Sequence, residues 1–523
     1  MPQPDSGIAQ ELVAALQPTP SAVVPEESRI AVHAAVSRFA VLYERIRNAV
    51  DYKDEHLLRK SAVLRILKRQ LILERDANAI SQHLVRELVG ARYLPNAELP
   101  ETLITDVALR VKKFQVIEHT HVGSAAHVAW LLRVVSVEIE GLLTDGSQER
   151  AFVTFLYERL ADRIRLRESA LSETDLKLQI YLACTRALVK ADDDALSFKL
   201  LRVYLPEWLR ADEWIESPLA LAERLVGIER RIQFSLRHAY APRIQRAVKP
   251  WAVSLNVLQQ ALLERPNDAA SLLKNTVELH ASVSRIAERQ YREAKSKLRR
   301  GAFRATIYIF LTKMLIAFAV EVPVEKMLYS VVSFPILGAN LLLPPFLMFI
   351  VALFIRVPGK DNTARIGTNV DILLSSEGVP LREMRIPNAR GFFAKTLFGA
   401  AYAVTYLLIF GGIGWILFQF HFTWVSAAIF LFFLCTVSFF AFRLRQTARE
   451  YVIVEGRESL RSLLADVISL PILQSGHVIA RGINRMNVFL FFFDFLLEAP
   501  FKIFLVVLEE WFAFLKEKKE EIQ

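Results

Sequence analysis

The sequence predicts an all-α protein in two chemically different parts. A cytoplasmic helical domain comes first, then a polytopic α-helical membrane bundle of about four spans and a C-terminal amphipathic helix. Three observations carry this. Of the 35 Phe, 6 lie in residues 1–300 and 29 in residues 301–523. A mean hydropathy of +0.28 with 53% apolar residues exceeds what an array of soluble domains shows. Residues 396–442 hold no Asp, Glu, Lys or Arg, a run of 47 where about 20 suffice to cross a bilayer. Together these exclude a disordered chain, a fibrous repeat and a disulfide-stapled secreted module.

Residues 1–28 are rich in Pro, Ala, Ser and Glu and read as a mobile tail in which only 8–16 has helical patterning. Residues 29–304 read as helix after helix, forming one or two subdomains that meet near 145 or 206. Leu57, Leu64 and Leu71 recur every seven residues, with Ile66, Leu67 and Ile72 on the same face and Arg59, Lys60, Arg65, Lys68 and Arg69 opposite. Similar periodicity marks 126–143, 150–167, 174–190, 218–238 and 251–264. Breaks fall at Pro95 to Pro100, Thr144 to Ser147, Asp192 to Asp194, Pro206, Pro242 and Pro266 to Asp268. The best strand-like alternation is at 107–116.

In the second half, 305–320 and 327–355 form a first transmembrane hairpin with a turn around 322–326. Pro335, Pro344 and Pro345 predict a kink in its second arm. A cytoplasmic loop, 356–395, leads to a second hairpin at 396–442. Its turn falls at Phe420, His421 and Phe422, with Trp415 and Trp424 in the aromatic belt. A cytoplasmic helical segment, 443–485, follows. Lys and Arg crowd before 305, within 356–395 and after 442, whereas the two short turns hold one Lys and no Arg. The positive-inside rule therefore places both termini in the cytoplasm. The N-terminus lacks the basic and apolar regions of a signal peptide. In 486–523, Asp494, Glu498, Lys502 and Glu509 form one polar line on an otherwise apolar helix, which fits an amphipathic, membrane-associated helix ending in a charged tail.

Ionisable groups in apolar context are the main candidate site residues: Lys313, Glu321, Asp494, Glu498 and Lys502, with Glu325 on the same face as Glu321. Such groups are costly to desolvate unless paired or hydrated, so they mark candidate ion or proton paths. A basic stretch, Arg292, Lys295, Lys297, Arg299, Arg300 and Arg304, precedes the first span and suits anionic headgroups. Glu118, His119, His121 and His127 resemble metal ligands in type, but an HxH pair shares one face only on an extended backbone. Gly399 to Ala401 and Gly411 to Gly414 are small-residue patches that suit close helix packing or a pore lining. The face at Arg59 to Arg69 has no interleaved aromatic residues, which argues against nucleic acid.

Cys184 and Cys435 imply no disulfide framework, and no cofactor motif is present. There is no P-loop, dinucleotide fingerprint, nucleophile elbow or kinase signature, so the chain leans away from being an enzyme. The expected function is a membrane-anchored scaffold whose cytoplasmic domain binds a protein partner. The alternative is an oligomeric ion or small-solute channel or transporter.

Overall fold

In the computed structural model the described residues are almost entirely helical. The structure describes residues 6–16, 29–30, 55–144, 146–167, 171–329, 334–353, 358–385, 391–448, 452–453, 460–485 and 511. Asp494, Glu498, Lys502 and Glu509 lie outside them.

Helices α1 (Ser6–Leu16), α2 (Glu55–Leu73), α3 (Ala77–Gly90), α4 (Thr102–His119), α5 (Ala125–Leu142) and α6 (Ser147–Leu160) open the chain. After strand β1 (Ile164–Arg167) come α7 (Glu173–Leu188), α8 (Asp193–Tyr204), α9 (Leu219–Leu236), α10 (Ala241–Leu263) and α11 (Ala269–Lys274). The starts follow capping chemistry. Asp76, Ser124, Ser172, Asp192 and Asn275 each accept a backbone N–H of the first turn, a contact worth about 1 kcal/mol. The Pro and Asp breaks expected from the sequence fall between helices or at their first residues. Val107 to Val116, the alternating stretch, lies inside α4, where Val107, Val111 and Phe114 are buried at helical spacing.

Two cores result. The first gathers Val63, Ile66, Leu67, Leu84, Leu88, Val111, Trp130, Val134, Leu200, Trp208 and Leu225. The second gathers Phe152, Leu156, Ile180, Ile244, Leu255, Leu258 and Leu273 with residues from far along the chain. They interleave in sequence, because α6 and α7 join the second core before α8 and α9 return to the first. On α2 the buried stripe is centred on Val63, Ile66 and Leu67, while Ile72 is 79% exposed. The basic side chains opposite are not a free charged face. Arg59 pairs with Glu140 at 2.8 Å, Lys60 with Asp192 and Asp194, and Arg69 with Glu87.

Two stretches expected to be loose are packed. Residues 6–16, read as part of a tail, form α1, whose Leu12 and Leu16 are 1% and 5% exposed against the second core. Two leucines four residues apart are enough to seat a short helix when an apolar groove is already formed. In the expected loop 356–395, α15 (Lys360–Leu374) places Ile366, Val370, Leu373 and Leu374 in the same core. Strand β2 (Arg382–Arg385) then pairs in parallel with β1, Ile164 opposite Arg382.

The second half is built on α12 (Thr276–Ile316), a 41-residue helix that continues through a π-helical turn, Ala317–Glu321, into α13 (Val322–Tyr329). The expected turn at 322–326 is therefore helical. Helix α14 (Phe334–Leu353) follows, containing Pro344 and Pro345, then α16 (Phe392–Gln419), α17 (Trp424–Ala448) and α18 (Leu460–Arg485). The turn between α16 and α17 falls at residues 420–423, with His421 in the left-handed region at φ 60°. Three helical stretches, Thr276–Met327, Thr396–Gln419 and Trp424–Arg443, are long and apolar enough to cross a membrane. Leu337–Ile350 and Val467–Ala480 are apolar but shorter. Helices α12, α14 and α17 pack on one another around Ala302, Ile309, Met348, Phe433 and Val437. The apolar stretch of α16 is only 6% buried, and Gly411, Gly412 and Gly414 have open space where a Cβ would stand.

Helix α18 lies along α17, and Gly476 sets the closeness. A Cβ there would meet the carbonyl of Cys435 and stand 2.8 Å from Phe439 Cβ. Backbone cannot yield as a flexible side chain can, so Gly476→Ala is expected to force the helices apart at a cost of about 1–3 kcal/mol. The check is thermal unfolding of the detergent-solubilised protein. A wild-type midpoint would show that the two helices are not in that contact.

Candidate functional site

Where α12 runs into the π turn, its lysine and two glutamates turn inward instead of toward solvent. Lys313 and Glu321 are both 0% exposed, and Glu325 is 5% exposed. Lys313 Nζ stands 3.6 Å from Glu321 Oε2 and 4.8 Å from the centroid of the Phe433 ring. In a regular helix eight residues leave two side chains about 80° apart around the axis. The wider π turn lowers the rotation per residue and brings Glu321 back over Lys313.

Two other helices complete the cluster. Asn340 of α14 donates its amide N–H to Glu321 Oε1 and, at 3.4 Å, to the carbonyl of Ser426. At the start of α17, the hydroxyl of Ser426 is 2.5 Å from Glu321 Oε1 and 2.7 Å from Glu325 Oε1. Thr423, in the preceding turn, donates to Glu325 Oε1 at 2.8 Å. Lys313 Nζ, Glu321 Oε2 and Asn340 Oδ1 are buried without a hydrogen-bond partner. The arrangement is an ion-paired polar knot at the meeting point of three apolar helices, with hydrogen-bonding capacity left over.

Of the sequence candidates, Lys313 and Glu321 are therefore brought together, with Glu325 beside them. Asn340, Thr423 and Ser426 were not singled out. Their only signal is polarity inside long apolar runs, which they share with residues such as Thr405 that merely hydrogen-bond their own helix. Arg292, Lys295, Lys297, Arg299, Arg300 and Arg304 are exposed along α12, between its buried positions Tyr291, Ala294, Leu298 and Ala302.

The histidine candidates do not converge. His119 Nδ1 contacts the carbonyl of Gln115 at 2.5 Å, one turn back. His121 sits at φ 53° in the turn after α4. His127 is 3% exposed and turns its Nδ1 to Glu229 at 2.5 Å, stacked on Trp130. The helix end at His119 and the left-handed turn at His121 disperse the HxH pair, and among the described residues no three His, Cys, Asp or Glu side chains come together as a metal site.

A second buried ion pair, absent from the sequence candidates, lies in the first core. Lys113 Nζ is 2.6 Å from Glu138 Oε1, and Trp208 Nε1 donates to Glu138 Oε2 at 2.8 Å. Burial holds the Lys113 ammonium below the ordinary lysine range, and the Glu138 carboxylate beside it opposes that shift. Every group in this pair is enclosed by α4, α5 and the 3₁₀ turn Pro206–Leu209, which gives it the character of a core fastener. No protein-family model matches the chain, and neither the curated proteins nor the solved structures contain a match.

Proposed function

We propose that the chain is an integral membrane protein whose N-terminal helical domain is a cytoplasmic scaffold mounted rigidly on a membrane bundle. The observation behind this reading is helix α12. It contributes Leu279, Val283, Ile286 and Tyr291 to the second core, and Ala302 and Ile309 to the core of the apolar helices. A 41-residue helix is about 60 Å long, and one that is packed at both ends has no hinge between them. The domain then has a fixed posture over the bilayer, which suits a platform for a protein partner.

The exposed basic residues Arg292 to Arg304 fall between the two cores on this helix. There each would gain on the order of 1 kcal/mol from an anionic leaflet. Helices α12, α14, α16 and α17 would supply the spans, and the uncovered surface of α16 would face lipid or another copy of the chain.

The test combines flotation with capture. Full-length protein should float with liposomes and resist alkaline carbonate extraction, and the membrane-embedded protein should retain a specific cytoplasmic partner after crosslinking. Replacing Arg299 and Arg300 by Glu should weaken its preference for anionic over zwitterionic vesicles. Extraction by carbonate would sink the membrane reading, and absence of any crosslinked partner would sink the scaffold reading.

The buried Lys313 cluster favours a second reading, an oligomeric channel or transporter for an ion or small solute. Reconstituted protein would then show flux that Lys313→Ala abolishes, whereas a scaffold would leave the liposomes tight.

A further inference from the structure

The hydrogen count at Ser426 does not balance if both neighbouring glutamates are ionised. A hydroxyl carries one hydrogen, and an ionised carboxylate only accepts. Yet Ser426 Oγ lies 2.5 Å from Glu321 Oε1 and 2.7 Å from Glu325 Oε1. One of these two short contacts would have no proton between its oxygens. The Thr423 hydroxyl and the Asn340 amide do not repair this, because each donates to a carboxylate oxygen and neither reaches Ser426 Oγ as a donor.

The charge count fails in the same way. Among the described residues the charged groups facing the cluster are Lys313 from α12, Glu321 from the π turn and Glu325 from α13. Asn340, Thr423 and Ser426 are neutral, and Phe433 closes the side over Lys313. One ammonium and two carboxylates leave a net negative charge, buried at 0%, 0% and 5% exposure. An uncompensated buried charge is costly enough that such a group takes up a proton instead. An independent sign of spare binding capacity is that Asn340 Oδ1 is buried with no hydrogen-bond partner, while Lys313 Nζ and Glu321 Oε2 meet only as an ion pair at 3.6 Å.

We propose that Glu321 and Glu325 hold one exchangeable proton between them across Ser426, making this cluster a proton-binding site. The proton belongs on Glu325. Glu321 carries the ion pair with Lys313 and so stays ionised, while Glu325 is the more exposed of the two and exchanges with water. Glu325 Oε1–H then donates to Ser426 Oγ, and Ser426 Oγ–H donates to Glu321 Oε1. Both short contacts acquire a hydrogen and the cluster becomes neutral. The site rests on the packing of α12, α13, α14 and α17, not on the scaffold reading, so it stands or falls in detergent without any partner.

Infrared spectroscopy of the full chain at neutral pH tests it. The wild-type protein should show a carboxylic-acid carbonyl band that shifts on transfer to D2O and moves again when glutamate is labelled with carbon-13, a measurement that needs no variant. Glu325→Gln should abolish the band. So should Glu321→Gln, because one lysine and one carboxylate then balance without a proton. Lys313→Met should keep or strengthen it. A wild-type spectrum without a glutamic-acid band, or a band that survives unchanged in both Gln variants, overturns the proposal. Flotation of the same preparation reports separately on the membrane reading.

Discussion

Glu138→Gln is expected to destabilise the helical domain by about 3–5 kcal/mol, the usual cost of removing one partner of a buried ion pair. Lys113 and Glu138 side chains are 2% and 5% exposed, so water cannot replace the lost carboxylate. The Lys113 ammonium lies 4.3 Å from the Trp208 ring centroid and the Arg110 guanidinium is 3.6 Å from Glu138. With the carboxylate gone, two cations face each other across a neutral amide. Adding Lys113→Met should recover most of the loss, because the glutamine oxygen can still accept from Trp208 Nε1. Urea unfolding of the purified chain, followed by far-ultraviolet circular dichroism, reads both variants. A Glu138→Gln midpoint at the wild-type position would refute the burial of this pair.

The same pair sets a pH dependence whose sign follows from Lys113. Its folded-state affinity for a proton is below the ordinary lysine value, with burial the largest cause. The unfolded chain therefore binds more protons in the window between the lowered value and the ordinary one, and stability rises with pH through that window. Below it the cost of the buried cation is fully present. Glu138→Gln removes the group that holds the affinity up, so the variant should gain more stability on alkaline titration than the wild type does.

Much of the architecture was legible because it rests on local rules. Breaks at Asp192, Pro206 and Pro266 bound helices regardless of what packs on them, and the charge-free run 396–442 announces its length directly. Residues decided by distant contacts were not legible. Leu12 and Leu16 look like fragments of a tail until α6 and α11 form their groove. Ile366 and Val370 look like a loop between spans until α10 and α12 present a core. Arg59, Lys60 and Arg69 read as one basic face because their partners, Glu140, Asp192, Asp194 and Glu87, lie elsewhere in the chain. At the candidate site Lys313 and Glu321 stood out as charges in apolar runs. Asn340, Thr423 and Ser426 did not, since uncharged polar residues occur in such runs for local reasons.

Lys313→Met and Glu321→Gln are each expected to weaken the packing of α12, α14 and α17 by about 3–5 kcal/mol, with the double variant close to the wild type. The reason is solvation. Lys313 does not snorkel, since its side chain is wholly buried with the Phe433 ring over the ammonium. Without Glu321 it loses its direct ion-pair partner under the Phe433 ring, and Glu325 is left as the cluster's one carboxylate. Without Lys313, two glutamates face each other across one serine hydroxyl. Removing both charges leaves the new glutamine's amide oxygen to accept from Asn340 and Ser426 beside an apolar methionine, which the surrounding helices tolerate. A thermodynamic cycle in SDS-induced unfolding measures the coupling, which equals the sum of the two single losses when the double variant matches the wild type. Single variants that add up to the double would show that the two charges do not meet. The double variant also separates the functional readings. It keeps the fold while abolishing the ion pair, so a scaffold made this way should still capture its partner, whereas a transporter made this way should fold, insert and move nothing.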